Sequence, residues 1–240
     1  GTTTLAAGSA NDITLANSTN TFGGPVVITS GDDVTLNENG AMNLGASTIS
    51  GNLAVTTAGG ITDSGAILVG GATTLDAGSV NAITLDAAND FGGPVAIIAA
   101  DDVTLNDINA IDLGASTISG NLALTAAGDI TDSGALNVTG TTTLDAGSAN
   151  DILLDEANDF NGPVSIIAAK DLTLNDINAI DLGASTISGN LAVTANGAIT
   201  DSGRLNVTGT TTLAAGSAND ITLDSNHAFQ GSVSVTSGRN

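Results

Sequence analysis

The residues LNDINAIDLGASTISGNLA run from Leu105 to Ala123 and return unchanged from Leu174 to Ala192, with a near copy, LNENGAMNLGASTISGNLA, from Leu36 to Ala54. Self-similarity on this scale constrains the fold more than any other feature, because a recurring module has to bury its apolar face against its own copies. Aligning the chain with itself gives copies at Thr2–Gly71, Ala72–Gly140 and Thr141–Gly209 and a partial fourth over 210–240, the complete ones being 70, 69 and 69 residues long. The phenylalanines all occupy one site of the copy, at Phe22, Phe91, Phe160 and Phe229, and the prolines another, at Pro25, Pro94 and Pro163.

Within each copy the pattern apolar-x-Gly-x-x-x-apolar recurs, as in Phe91 to Ile97, Ile118 to Leu124 and Val138 to Leu144. Each occurrence is followed by a turn and a short apolar-Thr-x stretch such as Val103-Thr104-Leu105. Alternation at period two, with Gly, Asn and Asp between the runs, predicts short strands with one buried face. Units of 22, 27 and 20 residues suit single rungs of a parallel β-solenoid, about ten of them in three-rung repeats, giving a rod roughly 50 Å long at the usual strand spacing. The 27-residue unit carries an added strand or ledge at Asn109 to Ala115. The chain thus reads as one solenoid over residues 1–240. An antiparallel sandwich also uses short strands and Gly-rich turns, but it leaves the threefold subdivision unexplained. The register places Leu53, Val55, Val95, Ile97, Leu122, Leu124, Val164 and Ile166 inward, and Phe22, Phe91, Phe160 and Phe229 in one internal column every third rung.

Composition narrows the chemistry. Aromatics are 2% of the chain, with no Trp or Tyr, so the core is built from Val, Ile, Leu, Ala and Thr. There is no cysteine for a disulfide or a thiolate site. No apolar run reaches the roughly 20 residues of a membrane span. A formal net charge of -22 disfavours nucleic acid and anionic lipid as partners.

Polysaccharide-cleaving chemistry on a solenoid needs an acid, a base or a cation gathered in one groove. The cationic candidates are Lys170, Arg204, Arg239 and His227, each standing where sister copies carry Asp, Ala or Asn or lying in the tail, so they read as unconnected substitutions. Carboxylate pairs at Asp32 and Asp33, at Asp101 and Asp102 and around Asp107 and Asp112 return in sister copies, which suits turns better than catalysis. No catalytic, cofactor-binding or metal site is assigned. Calcium is the one cofactor left open, because stacked acidic corners supply oxygens, although neither the GGxGxDxUx nonapeptide nor an EF-hand loop occurs. Equivalent outward threonines, Thr14, Thr35, Thr62, Thr84, Thr104, Thr131, Thr173, Thr200 and Thr222, interrupted by Leu153, resemble the ice-binding ladder of some antifreeze proteins.

The stretch GNLALTAAGDITDSGALNVTGTTTLDAGSANDILLDEANDF, Gly120 to Phe160, resembles the repetitive shafts of filamentous haemagglutinin-type adhesins, bacterial proteins exported by two-partner secretion. The resemblance covers the repeats of the whole chain. It implies a right-handed parallel β-helix, secreted or held at the outer-membrane surface, that keeps a distal binding region away from the cell. The NPNG- or NPNL-like motifs of that family's secretion domain are absent, and its repeats are mostly nearer twenty residues. The expected function is therefore a non-enzymatic shaft segment of an adhesin or biofilm-matrix fibre. Host or neighbouring-cell surfaces or matrix polysaccharide would be contacted through regions outside this chain. The alternative is direct carbohydrate binding or, less favoured, ice binding. Both termini continue the repeat pattern, so the segment is expected to be a fragment and to self-associate head to tail along the rod axis, more strongly at high salt.

Overall fold

The computed structural model describes residues 1–239. Among them are 31 strands and no helix, and every strand pair is parallel. The strands stack into two long faces, each following a path of twelve levels. The first begins Thr3–Ala6, Val26–Ser30, Met42–Leu44, and the second Ile13–Leu15, Val34–Glu38, Leu53–Thr57. The chain alternates between the faces, so one strand from each makes a coil. Stacked partners lie from 18 positions apart, as for Val95 with Leu113, to 24, as for Ala6 with Ser30. The molecule is a parallel β-solenoid of about twelve coils of roughly 20 residues each.

The inward register is as the alternation requires. Leu53, Val55, Val95, Ile97, Leu122, Leu124, Val164 and Ile166 are all buried, while Ala96 and Ala123 between them face outward. Together with the other inward Val, Ile and Leu they form one continuous apolar core from Ile13 to Ala215. A single coil has nothing to bury its face against, so this core exists only through stacking.

The coil count departs from the ten rungs expected. Each complete copy contributes seven strands to the long faces, and seven is odd. Thr3 and Thr142 begin the same strand of the first and third copies and lie seven levels apart on one face, whereas the equivalent strand of the second copy, Thr73–Asp76, lies on the other. One repeat is three and a half coils. The stretch read as a ledge, Asn109 to Ala115, contains an ordinary long-face strand, Ile111–Leu113. The half-coil offset also divides the phenylalanines. Phe91 and Phe229 sit where the chain passes from the first face to the second, and Phe22 and Phe160 where it returns, so they form no single column.

Two kinds of corner join the faces. In the tight AGSxN corners, Gly8, Gly78, Gly147 and Gly216 have φ between 73° and 89°, a conformation that costs glycine little and other residues more. The Asn three residues on closes the turn: Asn150 Nδ2 donates to the Ala146 carbonyl at 2.6 Å. The wide corners are built from short stacks such as Ser116–Ile118, Leu136–Val138 and the end of Ile152–Phe160. Here Val95–Ala99 is covered by two strands in succession: Val95 pairs with Leu113, and Ala100 bridges to Ile118. At the split the Ser116 hydroxyl accepts the Ile97 N–H at 3.0 Å and donates to the Gly114 carbonyl at 2.8 Å. A side chain thereby replaces the missing ladder partner. A bulge on the other side of the same strand, where Leu75 pairs with Ile97 but Asp76 with Ala99, leaves Ile98 turned out and exposed.

Candidate functional surface

The wide corners gather the buried amide and carboxylate side chains of the described residues. Asn158, fully buried, accepts the Leu136 N–H on Oδ1 at 2.8 Å and donates from Nδ2 to Asp132 Oδ2 at 2.7 Å. Asp132 also accepts the backbone N–H of Asp155 at 3.0 Å. Asn89 and Asp63 repeat the arrangement one copy earlier, with 2.9 Å to the Ile67 N–H and 2.8 Å to Asp63 Oδ2. At the foot of each corner a second carboxylate pins the phenylalanine backbone. Asp107 accepts the N–H groups of Phe91 and Asn109 at 2.9 and 2.8 Å, and Asp176 those of Phe160 and Asn178 at 2.9 and 2.7 Å. Glu38 takes this place for Phe22 at 3.0 Å. Burial pushes the carboxyls of Asp107, Asp132 and Asp176 above the ordinary value of 3.8, against the opposing pull of their hydrogen bonds. Each of these carboxylates accepts hydrogen bonds from amide donors, and the networks close the corners.

Further out, a ladder runs between coils. Asp102 Oδ1 accepts both the backbone N–H and Nδ2 of Asn121, at 2.8 and 2.9 Å, and Asn121 Oδ1 accepts the Thr141 N–H at 2.8 Å. Asp33 with Asn52 and Asp171 with Asn190 do the same. A Cβ at Gly120 would lie 2.4 Å from Asp102 Oδ1, which is why Gly recurs at that step. Of the adjacent carboxylates, Asp33 and Asp102 belong to these corner ladders, and Asp32 and Asp101 stand beside them. Asp112 faces outward from its strand, away from the buried Asp107.

Lys170 and Arg239 lie on separate corners, and Arg204 and His227 share the wide corner that ends at Phe229. Lys170 pairs with Asp151 at 3.2 Å and Asp171 at 3.5 Å on an exposed corner. Arg239 pairs with Asp220. Arg204 lines a shallow groove of about 400 Å³ with Ile167, Thr186 and Asn206. His227 stands in the Asn89 and Asn158 position and copies half of its role: its Nδ1 accepts the Leu205 N–H at 3.1 Å, which places the ring proton on Nε2, 3.5 Å from Asp201 Oδ2. Among the described residues, no group of three or more His, Cys, Asp or Glu is placed to hold a metal ion, and no helix is long and apolar enough to cross a membrane. The threonine positions do not form one ladder. Thr62, Thr84, Thr104, Thr200 and Thr222 lie on the first face and Thr14, Thr35, Thr131 and Thr173 on the second, because of the half-coil offset.

The buried corner amides and carboxylates escaped the reading of the residues, which treated Asn and Asp as solvated turn formers. Their signal was the Asn two residues before Phe-x-Gly at Phe22, Phe91 and Phe160, a place that His227 takes before Phe229.

No curated protein and no solved structure matches the chain. A family described as repeats of unknown function (DUF5649) matches residues 1–29, 31–98, 100–167 and 169–236. Its complete units begin 69 residues apart, the period found by self-alignment, and together they cover nearly the whole sequence. The chain belongs to this family of repeats.

Proposed function

We propose that the chain is a non-enzymatic shaft segment of a secreted or surface-attached bacterial adhesin or biofilm-matrix fibre, and that its contribution is reach and stiffness. The observation that carries this reading is the uninterrupted core: inward positions are buried from Val26 through Ile97 and Ile166 to Leu213, and are only partly covered at Leu5, Leu15 and Phe22 in the first coil. Of the charged side chains that depart from the repeat, Lys170 and Arg239 lie on separate corners, while Arg204 and His227 share one wide corner, Arg204 on its outer groove and His227 in its buried network. An acidic exterior with 25 Asp and Glu against three Lys and Arg keeps such a rod soluble and apart from other anionic surfaces. Partners on a host cell, a neighbouring cell or a matrix polysaccharide would be met by regions outside this chain.

The alternative is direct carbohydrate binding, and the groove beside Arg204 is the feature that favours it. A series of chains with one or two copies added separates the two. For a shaft, small-angle scattering should show the rod lengthening by about 17 Å per copy, three and a half strand spacings, with no saturable binding to neutral or acidic polysaccharides. Saturable binding that is lost in Arg204→Ala would replace the shaft reading with the carbohydrate one.

A further inference from the structure

We infer that the repeat is a half-turn unit of display: features carried on its wide corner appear on alternate edges of the rod, and the number of copies sets which way everything beyond them faces. The evidence is positional. The identical segments beginning at Leu105 and Leu174 lie on different faces: Val103–Asp107 belongs to the first and Leu172–Asp176 to the second, with the same burial pattern. The wide-corner stacks follow. Gly31, Ile49, Val69 and Phe91 are linked in sequence where the chain leaves the first face. Ala100, Ile118, Val138 and Phe160 are linked where it leaves the second, and Ala169, Ile187, Val207 and Phe229 where it leaves the first again. Successive copies are therefore related by a rotation of about half a turn together with a rise of about 17 Å.

Two consequences concern recognition. A group carried at one wide corner has its counterpart in the next copy on the opposite edge, so a single rod can present groups on both of its sides. Along one edge the same corner returns only every seven coils, about 34 Å. Adding or removing one copy, which the near-identity of the copies permits without disturbing the core, reverses the facing of the distal part. Adding or removing two restores it.

Thr48, Thr117 and Thr186 are exposed, equivalent and central in their wide corners, and the chain has no cysteine of its own. Spin labels on Thr48→Cys paired with Thr117→Cys, and on Thr48→Cys paired with Thr186→Cys, in the full chain, give two distances by pulsed dipolar spectroscopy. With an edge-to-edge width of roughly 20 to 25 Å, the first should be about 28 Å and the second about 34 Å, a ratio near 1.2. Copies stacked in line would give about 17 and 34 Å, a ratio of two, and that result would overturn the inference. The pair at Thr117 and Thr186 repeats the adjacent-copy measurement at an independent place. A chain lacking residues 72–140, with Gly71 joined to Thr141, tests the parity rule: the Thr48 to Thr186 distance should fall only to about 28 Å if facing reverses, and to about 17 Å if it does not.

Discussion

The wide corner that ends at Phe160 and the one that ends at Phe229 are built on the same plan, with His227 standing where the first has Asn158 and further exchanges around it, among them Ser225 for Glu156 and Ala228 for Asp159. In the first, Asn158 supplies both an acceptor for the Leu136 N–H and a donor for Asp132 at 2.7 Å. In the second, His227 supplies the acceptor for the Leu205 N–H, but its other nitrogen stands off from Asp201 at 3.5 Å. The surroundings differ too: Phe160 is buried and pinned by Asp176, while Phe229 is only partly buried. The carboxylates respond in opposite senses. Burial dominates at Asp132 and raises its pKa. At Asp201 burial also acts upward, but hydrogen bonds from Ser225 and Asp224 and the positive charge His227 carries when protonated outweigh it, and the net direction is down. An imidazole fits the shape of the amide site and replaces a short amide-to-carboxylate hydrogen bond with a longer contact.

The comparison is broken most severely by truncating the ring that closes each corner. Phe160→Ala should cost about 3 to 5 kcal/mol, the range for a fully buried aromatic. Phe229→Ala, partly exposed, should cost roughly 1 to 2 kcal/mol. Urea unfolding followed by hydrogen exchange checks both, since a stacked array opens locally as well as globally. Equal losses at the two sites would show that the fourth-copy corner is as tightly closed as the third.

Next in size are the polar residues. Asn158→Ala leaves the buried Leu136 N–H and one side of Asp132 without partners, a loss of about 1 to 3 kcal/mol. His227→Ala removes one backbone hydrogen bond at a less enclosed site, and about 1 kcal/mol or less is expected. His227→Asn should restore the short bond to Asp201 and raise amide protection at Leu205. Unchanged protection there would mean that the ring already satisfies the site.

These corners also show where the sequence was legible. Period-two alternation placed Leu122, Leu124, Val164 and Ile166 in the core, because strands facing a dry interior admit few substitutes. Self-alignment found the 69-residue period. The coil length stayed hidden because apolar-x-Gly-x-x-x-apolar marks strands that differ in setting: Leu122–Ala126 belongs to a long face, whereas Ser116–Ile118 belongs to a corner. Counting seven long-face strands per copy would have shown that the repeat ends half a coil out of phase. Asn158 and Asp176 read as turn residues because Asn and Asp are usually solvated. Only the stacking of one coil on another buries them, and that is a property of neighbouring coils rather than of the local segment.

The pH response sharpens the contrast further. A carboxyl whose pKa is raised in the folded state holds its proton more tightly there than in the unfolded chain. Its contribution to stability is therefore greatest in acid and is lost as pH rises through the raised value. Asp132, Asp107 and Asp176 all act in this sense. Asp201 has the opposite sign: its contribution is present above the ordinary value of 3.8 and is lost as pH falls through the lowered one. Acidification from pH 7 toward 4 should thus increase amide protection at Leu136, corrected for intrinsic exchange, and leave Leu205 without that gain. Asp132→Asn should flatten the Leu136 response. A parallel rise at both amides would mean that the loss of net negative charge along the rod outweighs the individual corners.

The smallest expected effect lies just before these corners, where the two copies should agree. Thr142 and Thr211 begin the strands Thr142–Asp145 and Thr211–Ala214 and point inward, and the Oγ1 of each is buried without a hydrogen-bond partner. Thr73 repeats the feature in the second copy, so it is a property of the repeat. A buried hydroxyl with no partner has lost water and gained nothing in exchange. Valine has nearly the same shape, keeps the β-branch that the strand favours and fills the site with a methyl group instead. Thr142→Val should therefore stabilise the rod by about 0.5 to 1.5 kcal/mol, and Thr211→Val by a similar amount. Both appear as a higher urea midpoint at unchanged slope. A loss of stability in Thr142→Val alone would show that its hydroxyl has a partner in solution, such as a buried water, that Thr211 lacks. The third and fourth copies would then differ in the strands as well as at the corners.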